Sequence, residues 1–200
     1  AYAFAMCNAL EGFTVDSSNT YFSAGSNGEL MNKNKTTLYR YPSGRGELTY
    51  STPSTVKTVY TGAFYGDTTL ADIECANVTT VSAYSFSMAT ALESVSIPLA
   101  TKINDYAFAD CDSLTSISAP KVTSVGIYSF SGCDSLASLS GLSAVVTISD
   151  YAFSACNRFK TLNLQGNLEA IGEYAFANCA YVVLLRALQS VRRLLLCPNK

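Results

Sequence analysis

The chain has 200 residues, of which 48% are hydrophobic and 14% charged, and its formal net charge is −2. This composition predicts one or two folded domains and argues against a nucleic-acid partner, because phosphate binding requires clustered Lys and Arg. Histidine is absent, which removes the commonest general base and transition-metal ligand, and no apolar run approaches the roughly 20 residues of a membrane span.

The first predicted element is the phrase AYAFAMCNAL at 1–10, which recurs later in the chain after an insertion at 16–46. Within the insertion, GELMN and TTLYRYP flank the polar residues 33–35, and this pattern predicts a β-hairpin. The insertion also contains an aromatic and basic cluster of a kind enriched at binding hot spots. Its members are Tyr21, Phe22, Tyr39, Arg40 and Tyr41. The rings either contact a protein or polysaccharide, or cover the small core of the hairpin itself.

From residue 62 onward the phrase returns every 22 or 23 residues. The aromatic markers of the copies are Tyr2, Tyr84, Tyr106, Tyr128, Tyr151 and Tyr174, with Gly62 in the equivalent place. In one copy, Ile117 and Ala119 alternate with polar residues and predict a short strand, while 105–111 predicts a helical turn capped by Asp105. One period buries too little apolar surface to fold alone, so the copies are predicted to stack as a solenoid.

In most copies a cysteine lies three positions after the phenylalanine, with two residues between them. The predicted ladder is Phe108, Cys111, Phe130, Cys133, Phe153, Cys156, Phe176 and Cys179, with Cys7, Asp67 and Ala89 at the cysteine position of other copies. A straight inward row cannot surround zinc tetrahedrally, its parallel side chains are poorly aimed for disulfides, and no His is available to activate a thiolate. We therefore expect structural cysteines and no metal, with Cys75 also in the core and Cys197 as a free thiol.

Residues between the inward ones on the first strand of each period face outward. The predicted rows are Asp72, Ser94, Ser116, Ser138, Thr161 and Leu184, and Glu74, Ser96, Ser118, Ser140, Asn163 and Arg186. This face is either a solvated sheet surface or a platform for protein or glycan, in which case Ser94, Ser96, Ser116, Ser118 and Asn163 are candidate contacts. The acidic residues Asp105, Asp150 and Glu173 form a spaced row, so no two converge as an acid–base pair would.

The repeated phrase resembles the BspA-like, or Treponema-type, leucine-rich repeat. The resemblance rests on DYAFADCDSLTSISAPKVTSVG (105–126) and DYAFSACNRFKTLNLQGNLEAIG (150–172), with Pro98 and Pro120 at the proline of the family pattern. It implies a right-handed superhelix of short β-strands and short helical turns with one β-hairpin insertion. The expected organisation is a single solenoid domain, 1–200, of about seven repeats.

Known members of this family are mostly secreted or surface proteins of bacteria and some protozoa, and several are implicated in adhesion. The resemblance thus implies a non-enzymatic, extracellular or cell-surface module, without a cofactor, that recognises protein or glycan on host or neighbouring cells. The alternative is a structural solenoid that associates end to end or is a fragment of a longer repeat protein. Because the chain begins within a repeat and without Met, we expect any signal peptide to have been removed or to lie outside this sequence.

Overall fold

The protein is a solenoid in which short parallel strands from successive copies lie side by side. The computed structural model describes residues 2–138, 141–159, 161–162, 168–179 and 183–184, the backbone alone being described at 161–162 and 183–184. The predicted site residue Asn163, together with Ser140, Arg186 and Cys197, lies outside the described residues.

Over residues 49–125, each described copy contributes two short strands, one to each of two sheets. The strands are β1 (Phe22–Ala24), β2 (Leu30–Asn32), β3 (Thr37–Arg40), β4 (Thr49–Ser51), β5 (Thr58–Val59), β6 (Asp72–Glu74), β7 (Thr80–Val81), β8 (Ser94–Ser96), β9 (Lys102–Ile103), β10 (Ser116–Ser118), β11 (Ser124–Val125), β12 (Thr147–Ile148), β13 (Thr161–Leu162), β14 (Ala170–Ile171) and β15 (Val183–Leu184). A 3-10 helix spans Ser43–Arg45.

Equivalent strands of successive copies lie next to each other in the sheets, as stacking of the copies requires. One sheet has nine strands in the order β1-β2-β3-β5-β7-β9-β11-β12-β14, another has four in the order β10-β8-β6-β4, and β13 pairs with β15. Strands from successive copies pair in parallel, whereas β1, β2 and β3 pair antiparallel, with residues 33–36 between β2 and β3. The segment that departs from the repeat therefore extends the nine-stranded sheet at one end.

Period-two alternation explains why these short segments become strands. In β8 and β10 the central residues Val95 and Ile117 are buried, while the serines on either side face outward. Neighbouring strands pair in register, so Val95 lies beside Ile117. Because the side chains alternate across a strand, one apolar residue per strand is enough to give each sheet a buried face.

The segments predicted as helical turns form no α-helix, and Asp105 does not act as a helix cap. The amides of Tyr106, Phe108 and Asp110 donate to carbonyls of the next copy, at 2.8–2.9 Å, and are unavailable for bonds within a helix. Tyr106 and Asp110 also have positive φ angles, both 57°, which interrupt helical winding. The Asp105 carboxylate accepts a hydrogen bond from the amide of Ile127 in the following copy. Pairing between copies thus replaces local helix formation.

Two columns of stacked rings run along the solenoid. The inner column contains Phe64, Phe86, Phe108, Phe130, Phe153 and Phe176, with centroids of successive rings 4.8–5.4 Å apart. The outer column contains Tyr84, Tyr106, Tyr128, Tyr151 and Tyr174, with spacings of 4.6–5.1 Å. The ring spacing matches the distance between paired strands, so backbone pairing and ring stacking impose the same repeat.

The predicted inward position of Cys7 is wrong. Cys111, Cys133, Cys156 and Cys179 are buried, but Cys7 is exposed. The chain after Cys7 does not continue into a strand of a regular copy; the amide of Phe13 instead donates to the carbonyl of Gly28, at 2.8 Å. The thiol therefore lacks the covering that a regular copy gives to its equivalents.

The predicted alignment of Thr161 with Leu184 is also wrong, by one residue. Thr161 pairs with Val183, and Leu162 pairs with Leu184. The sequence at 182–185 is apolar throughout, so no alternation of polar and apolar residues specifies the register there. Backbone pairing decides the alignment in that copy.

Candidate functional site

The four-stranded sheet presents a continuous polar surface, which we call the serine face. It consists of the outward residues of β4, β6, β8 and β10: Thr49, Ser51, Asp72, Glu74, Ser94, Ser96, Ser116 and Ser118. A shallow groove of about 390 Å³ runs over these four strands. The structure thus brings the four described candidate serines together on one surface.

The acidic residues lie within the serine face, not at its first strand as the sequence suggested. Asp72 and Glu74 are on β6, which lies between β4 and β8, and Ser94 Oγ donates a hydrogen bond to Asp72 Oδ1. Thr49 and Ser51 on β4 were missed, although their alternation about the buried Tyr50 could have shown them. The face therefore combines hydroxyl groups with two carboxylates near its β4 end.

A second concave site, which we call the aromatic pocket, lies where the first copy meets β1–β3. Five rings line it, from Tyr2, Phe4, Phe22, Tyr39 and Tyr60. The other lining residues are Ala3, Ala5, Leu30, Arg40, Thr61 and Gly62. Its volume is about 340 Å³, within the range of sites for small molecules. The sequence did not indicate Tyr2, Phe4 or Tyr60 as site residues, because only the fold brings these distant positions together.

The predicted aromatic and basic cluster is divided between the surface and the interior. Tyr21 is 77% exposed and lies outside the pocket, and Phe22 and Tyr39 contribute to the pocket wall. Their rings meet edge to face, with centroids 5.6 Å apart, and Tyr39 makes a similar contact with Tyr60 at 5.1 Å. Arg40 and Tyr41, in contrast, are 3% and 1% exposed. Only three of the five residues therefore offer surface to a partner.

Strand geometry explains this division. Tyr39 and Arg40 are adjacent on β3, so their side chains point to opposite sides, and Arg40 shares the inward side with Leu38. Tyr41 follows the strand and packs against Phe64 in the core, with ring centroids 5.6 Å apart. Burial raises the pKa of the Tyr41 hydroxyl, which donates a hydrogen bond to Glu47 Oε2.

The buried Arg40 is only partly paired. Its Nη1 donates to the carbonyl oxygens of Gly62 and Tyr65, at 3.1 and 2.9 Å, while Nε and Nη2 have no hydrogen-bond partner. Burial lowers the pKa of the guanidinium, and the negative charge of Asp67 opposes this effect. Among the described residues the ion pair within 4.0 Å is Arg45–Glu47, so Asp67 acts on Arg40 from a greater distance.

Comparison with known proteins identifies the repeat. Residues 48–113 and 101–194 match the BspA type leucine rich repeat region, in six copies. The chain belongs to this family. No curated protein matches the BspA-type chain.

Solved structures of leucine-rich repeat proteins resemble this BspA-type solenoid. One, from Eubacterium ventriosum, is 26% identical with a TM-score of 0.76, and the match covers 94% of this chain and 57% of that one. A leucine rich cell surface protein from Faecalibacterium prausnitzii is 26% identical with a TM-score of 0.56, covering 92% of this chain and 45% of that one. The T. pallidum leucine rich repeat protein shows the same fold, with a TM-score of 0.53 at 20% identity. That match covers 84% of this chain and 90% of the T. pallidum chain. The chain thus spans little more than half of the Eubacterium protein that it matches.

The buried cysteines of the BspA-type copies are packing residues. The Sγ atoms of Cys111, Cys133 and Cys156 donate to the carbonyls of Phe86, Phe108 and Phe130, each at 3.1 Å. Burial raises the pKa of the Cys111 and Cys133 thiols and raises that of Cys75 to about 12. All six described cysteines are free. The thiols of Cys75, Cys111 and Cys133 therefore stay protonated at neutral pH and pack in the core of the solenoid.

The described residues contain no group of three or more His, Cys, Asp or Glu arranged to hold a metal ion. Within the same residues, no helix has the length and apolarity that crossing a membrane requires. BspA-type and other leucine-rich repeat proteins are typically non-enzymatic and generally bind proteins. Binding surfaces, and not catalytic groups, are therefore the features of this chain to consider.

Proposed function

We propose that this BspA-type chain is a non-enzymatic binding and adhesion module that acts outside the cell or at its surface and recognises protein or glycan. The observation that carries the proposal is the serine face, where outward polar side chains lie in register over four parallel strands, with hydroxyls on β4, β8 and β10 and carboxylates on β6. The similar Faecalibacterium protein, a cell surface protein, supports the location. The proposed organisation is one domain, 1–200, coiled as a right-handed superhelix with 16–46 as an insertion.

The serine face suits an extended, polar partner. Its hydroxyls are both donors and acceptors, and the parallel strands place its polar side chains every ~4.8 Å across the sheet. Each hydrogen bond adds only about 0.5–1.5 kcal/mol, so a single copy of the module binds weakly and several copies together bind strongly. Asp72 and Glu74 favour partners with basic groups near the β4 end of the groove.

A binding panel with matched variants tests this proposal. Matrix proteins, mucins and bacterial surface polysaccharides are presented to multiple copies of the chain on a biosensor surface. Ser116→Arg/Ser118→Arg replaces two exposed hydroxyls of the serine face with long charged side chains. The matched control is Thr80→Arg/Thr101→Arg, at exposed positions outside this face.

We expect at least one ligand whose binding falls at least tenfold in the serine-face variant and is unchanged in the control. The proposal would be contradicted if both variants changed ligand binding equally, or if the unmodified chain bound no ligand of the panel. Light scattering over a range of concentrations tests the alternative, a structural solenoid that associates end to end. End-to-end assembly predicts a mass that increases with concentration and is unchanged by the serine-face substitutions.

A further inference from the structure

The two sheets of the solenoid end differently on the side that holds the insertion. In the nine-stranded sheet, β3 pairs with β5, and β2 and β1 continue the sheet beyond β3. In the four-stranded sheet, β4 is the terminal strand and pairs with β6. Among the described residues, no strand pairs with the other edge of β4. The insertion therefore extends one sheet and leaves the other with an open edge.

The pairing of successive copies shows which backbone groups the open edge leaves without a partner. The amides of Ala71 and Asp72 both donate to the carbonyl of Leu48, at 2.7 and 3.1 Å, and the same pattern recurs in the next two copies. Leu48 and Thr49 hold the equivalent positions in the copy that contains β4. No carbonyl among the described residues accepts from their amides, because no strand precedes β4 in this sheet.

A carbonyl on the same side of the strand also lacks a partner. The carbonyl of Glu74 accepts from the amide of Thr52, at 2.8 Å, and Ser51 aligns with Glu74. Within the described part of the chain, no amide donates to the carbonyl of Ser51. Because the amide of Thr52 is directed to β6, the amide of Ser51 is directed to the open side. We call these groups, the amides of Leu48, Thr49 and Ser51 and the carbonyl of Ser51, the β4 edge.

The β4 edge is accessible from solvent. Leu48 is 66% exposed, and Thr49 and Ser51 are exposed as well. Just before the strand, a side chain at Gly46 would meet no atom within 4 Å of its Cβ. Proteins usually protect such an edge with Pro or Lys, and residues 48–51 contain neither. An exposed edge of this kind is a template on which an extended chain can pair.

The charges beside the β4 edge favour a basic partner. Asp72 and Glu74 project from the neighbouring strand β6, and none of the outward residues of the serine face is Lys or Arg. Arg45, which precedes β4, is paired with Glu47 at 2.7 Å, so this pair adds no net charge. A strand added beside β4 lies about 4.8 Å from it, and the long side chain of a Lys or Arg then extends across β4 towards the carboxylates of β6.

We infer that the β4 edge binds an extended segment of a partner protein that carries Lys or Arg, as an additional strand of the four-stranded sheet. The backbone of this segment accepts from the amides of Leu48 and Thr49 and donates to the carbonyl of Ser51, as a preceding copy would. Its basic side chains face Asp72 and Glu74. The inference rests on the proposed function, because it names the class of protein partner that the binding module recognises beside its serine face.

Three capped peptides test the backbone pairing and the charge. The probes are acetyl-Val-Lys-Val-Lys-Val-Lys-amide, the same peptide with Glu in place of Lys, and the Lys peptide N-methylated on its Val residues. When the Lys side chains face the serine face, the Val amides are directed to β4, so N-methylation removes the donors that pair with the edge. The peptides are titrated into the full chain at low salt, with detection by calorimetry or NMR.

We expect the Lys peptide to bind about tenfold more tightly than its N-methylated form and about fivefold more tightly than the Glu peptide. Equal affinity of the Lys peptide and its N-methylated form would overturn the inference, as would the absence of binding by all three. Equal affinity of the Lys and Glu peptides would overturn the proposed basic character of the partner.

A matched pair of variants at one position tests the location. Ser51→Pro removes an amide directed to the open side and places a ring in the path of an added strand, and edge strands accept Pro in this orientation. Ser51→Ala removes the same hydroxyl but keeps the amide. We expect the Lys peptide to bind about tenfold more weakly to Ser51→Pro than to Ser51→Ala, with far-UV circular dichroism showing that both variants fold. Identical binding by the two folded variants would overturn the inference, and the comparison of the Lys peptide with its N-methylated form tests the pairing without any variant.

Two further variants separate charge from position. Asp72→Asn/Glu74→Gln removes both carboxylates of β6 and is expected to abolish the preference for the Lys peptide over the Glu peptide. Ser116→Arg/Ser118→Arg alters β10, the other terminal strand of the four-stranded sheet, and is expected to leave binding of the Lys peptide unchanged. A preference for Lys that persists without the two carboxylates would overturn the assigned role of Asp72 and Glu74.

The same measurements keep this inference apart from the proposed function. Binding of the Lys peptide that is lost in Ser51→Pro, together with no binding to the panel of matrix proteins, mucins and polysaccharides, would contradict the proposed function and support the β4 edge. Binding to the panel without any binding of the Lys peptide would do the reverse. A mass in light scattering that increases with concentration in the unmodified chain, but not in Ser51→Pro, would overturn the basic partner in favour of a second copy of this chain.

Discussion

The inner ring column predicts that a phenylalanine contributes to stability mainly through its two neighbours in the stack. Phe108 is fully buried, and its ring is nearly parallel to those of Phe86 and Phe130, with centroids 4.8 and 5.2 Å away and interplanar angles of 4°. In Phe108→Leu, an apolar side chain remains while both ring contacts are lost. Two stacked pairs at about 0.5–1.5 kcal/mol each, with a shape change below about 1.5 kcal/mol, predict a loss of about 1–4.5 kcal/mol.

A double-mutant cycle measures the stacking directly. Phe108 and Phe130 are adjacent in the column, so their Leu variants are expected to show a coupling free energy of about 0.5–1.5 kcal/mol. Phe64 and Phe108 are separated by the ring of Phe86, so the same substitutions there are expected to be additive within about 0.5 kcal/mol. Because the chain has no Trp, urea unfolding is followed by far-UV circular dichroism.

The comparison of the two cycles decides the interpretation. If the adjacent and the separated pairs gave the same coupling, the stack would not act through nearest neighbours, and the reasoning would be refuted. Hydrogen exchange of the Phe86 and Phe130 amides provides an independent check, since a solenoid can lose cooperativity when an internal copy is weakened.

Three further predictions concern the thiols and the backbone. Burial raises the pKa of Cys75 from its ordinary 9 to about 12, so this thiol ionises at lower pH in the unfolded chain than in the folded one. Its contribution to the free energy of unfolding is therefore retained below pH 9 and falls by ~1.4 kcal/mol per pH unit up to about pH 12. The urea midpoints at pH 8 and pH 10 should differ less in Cys75→Ala than in the unmodified chain. Ala155 has a φ of 58° at the repeat position where Gly132 has 74°, so Ala155→Gly is expected to raise the free energy of unfolding by about 0.5–1 kcal/mol, and a destabilised variant would contradict this. Iodoacetamide should modify the exposed Cys7 in the native protein and spare Cys133, as read by peptide mass spectrometry; similar rates at both sites would show that Cys133 is accessible.

The repetitive part of the fold could be predicted because its pattern is local and one-dimensional. A spacing of 22 or 23 residues brings equivalent side chains together once copies stack, which places Phe108 over Phe130 and Cys111 near Cys133. Alternation within three residues then directs Ser116 and Ser118 outward. The predicted helical turns failed because the amide of Phe108 has its partner in the next copy, at Ser129, and no local pattern reveals such a partner.

The aromatic pocket, by contrast, depends on contacts between distant segments. Adjacent residues Tyr39 and Arg40 looked like one cluster in the sequence, yet the strand directs them to opposite sides and buries the guanidinium. Tyr2 and Tyr60 join the same pocket from positions far apart in the chain. The amino-acid pattern alone specifies the repeated strands and the core positions of the copies, because each copy buries its side chains in the same way. The burial of residues outside the repeat depends on the distant segments that cover them, and only the tertiary structure specifies those contacts.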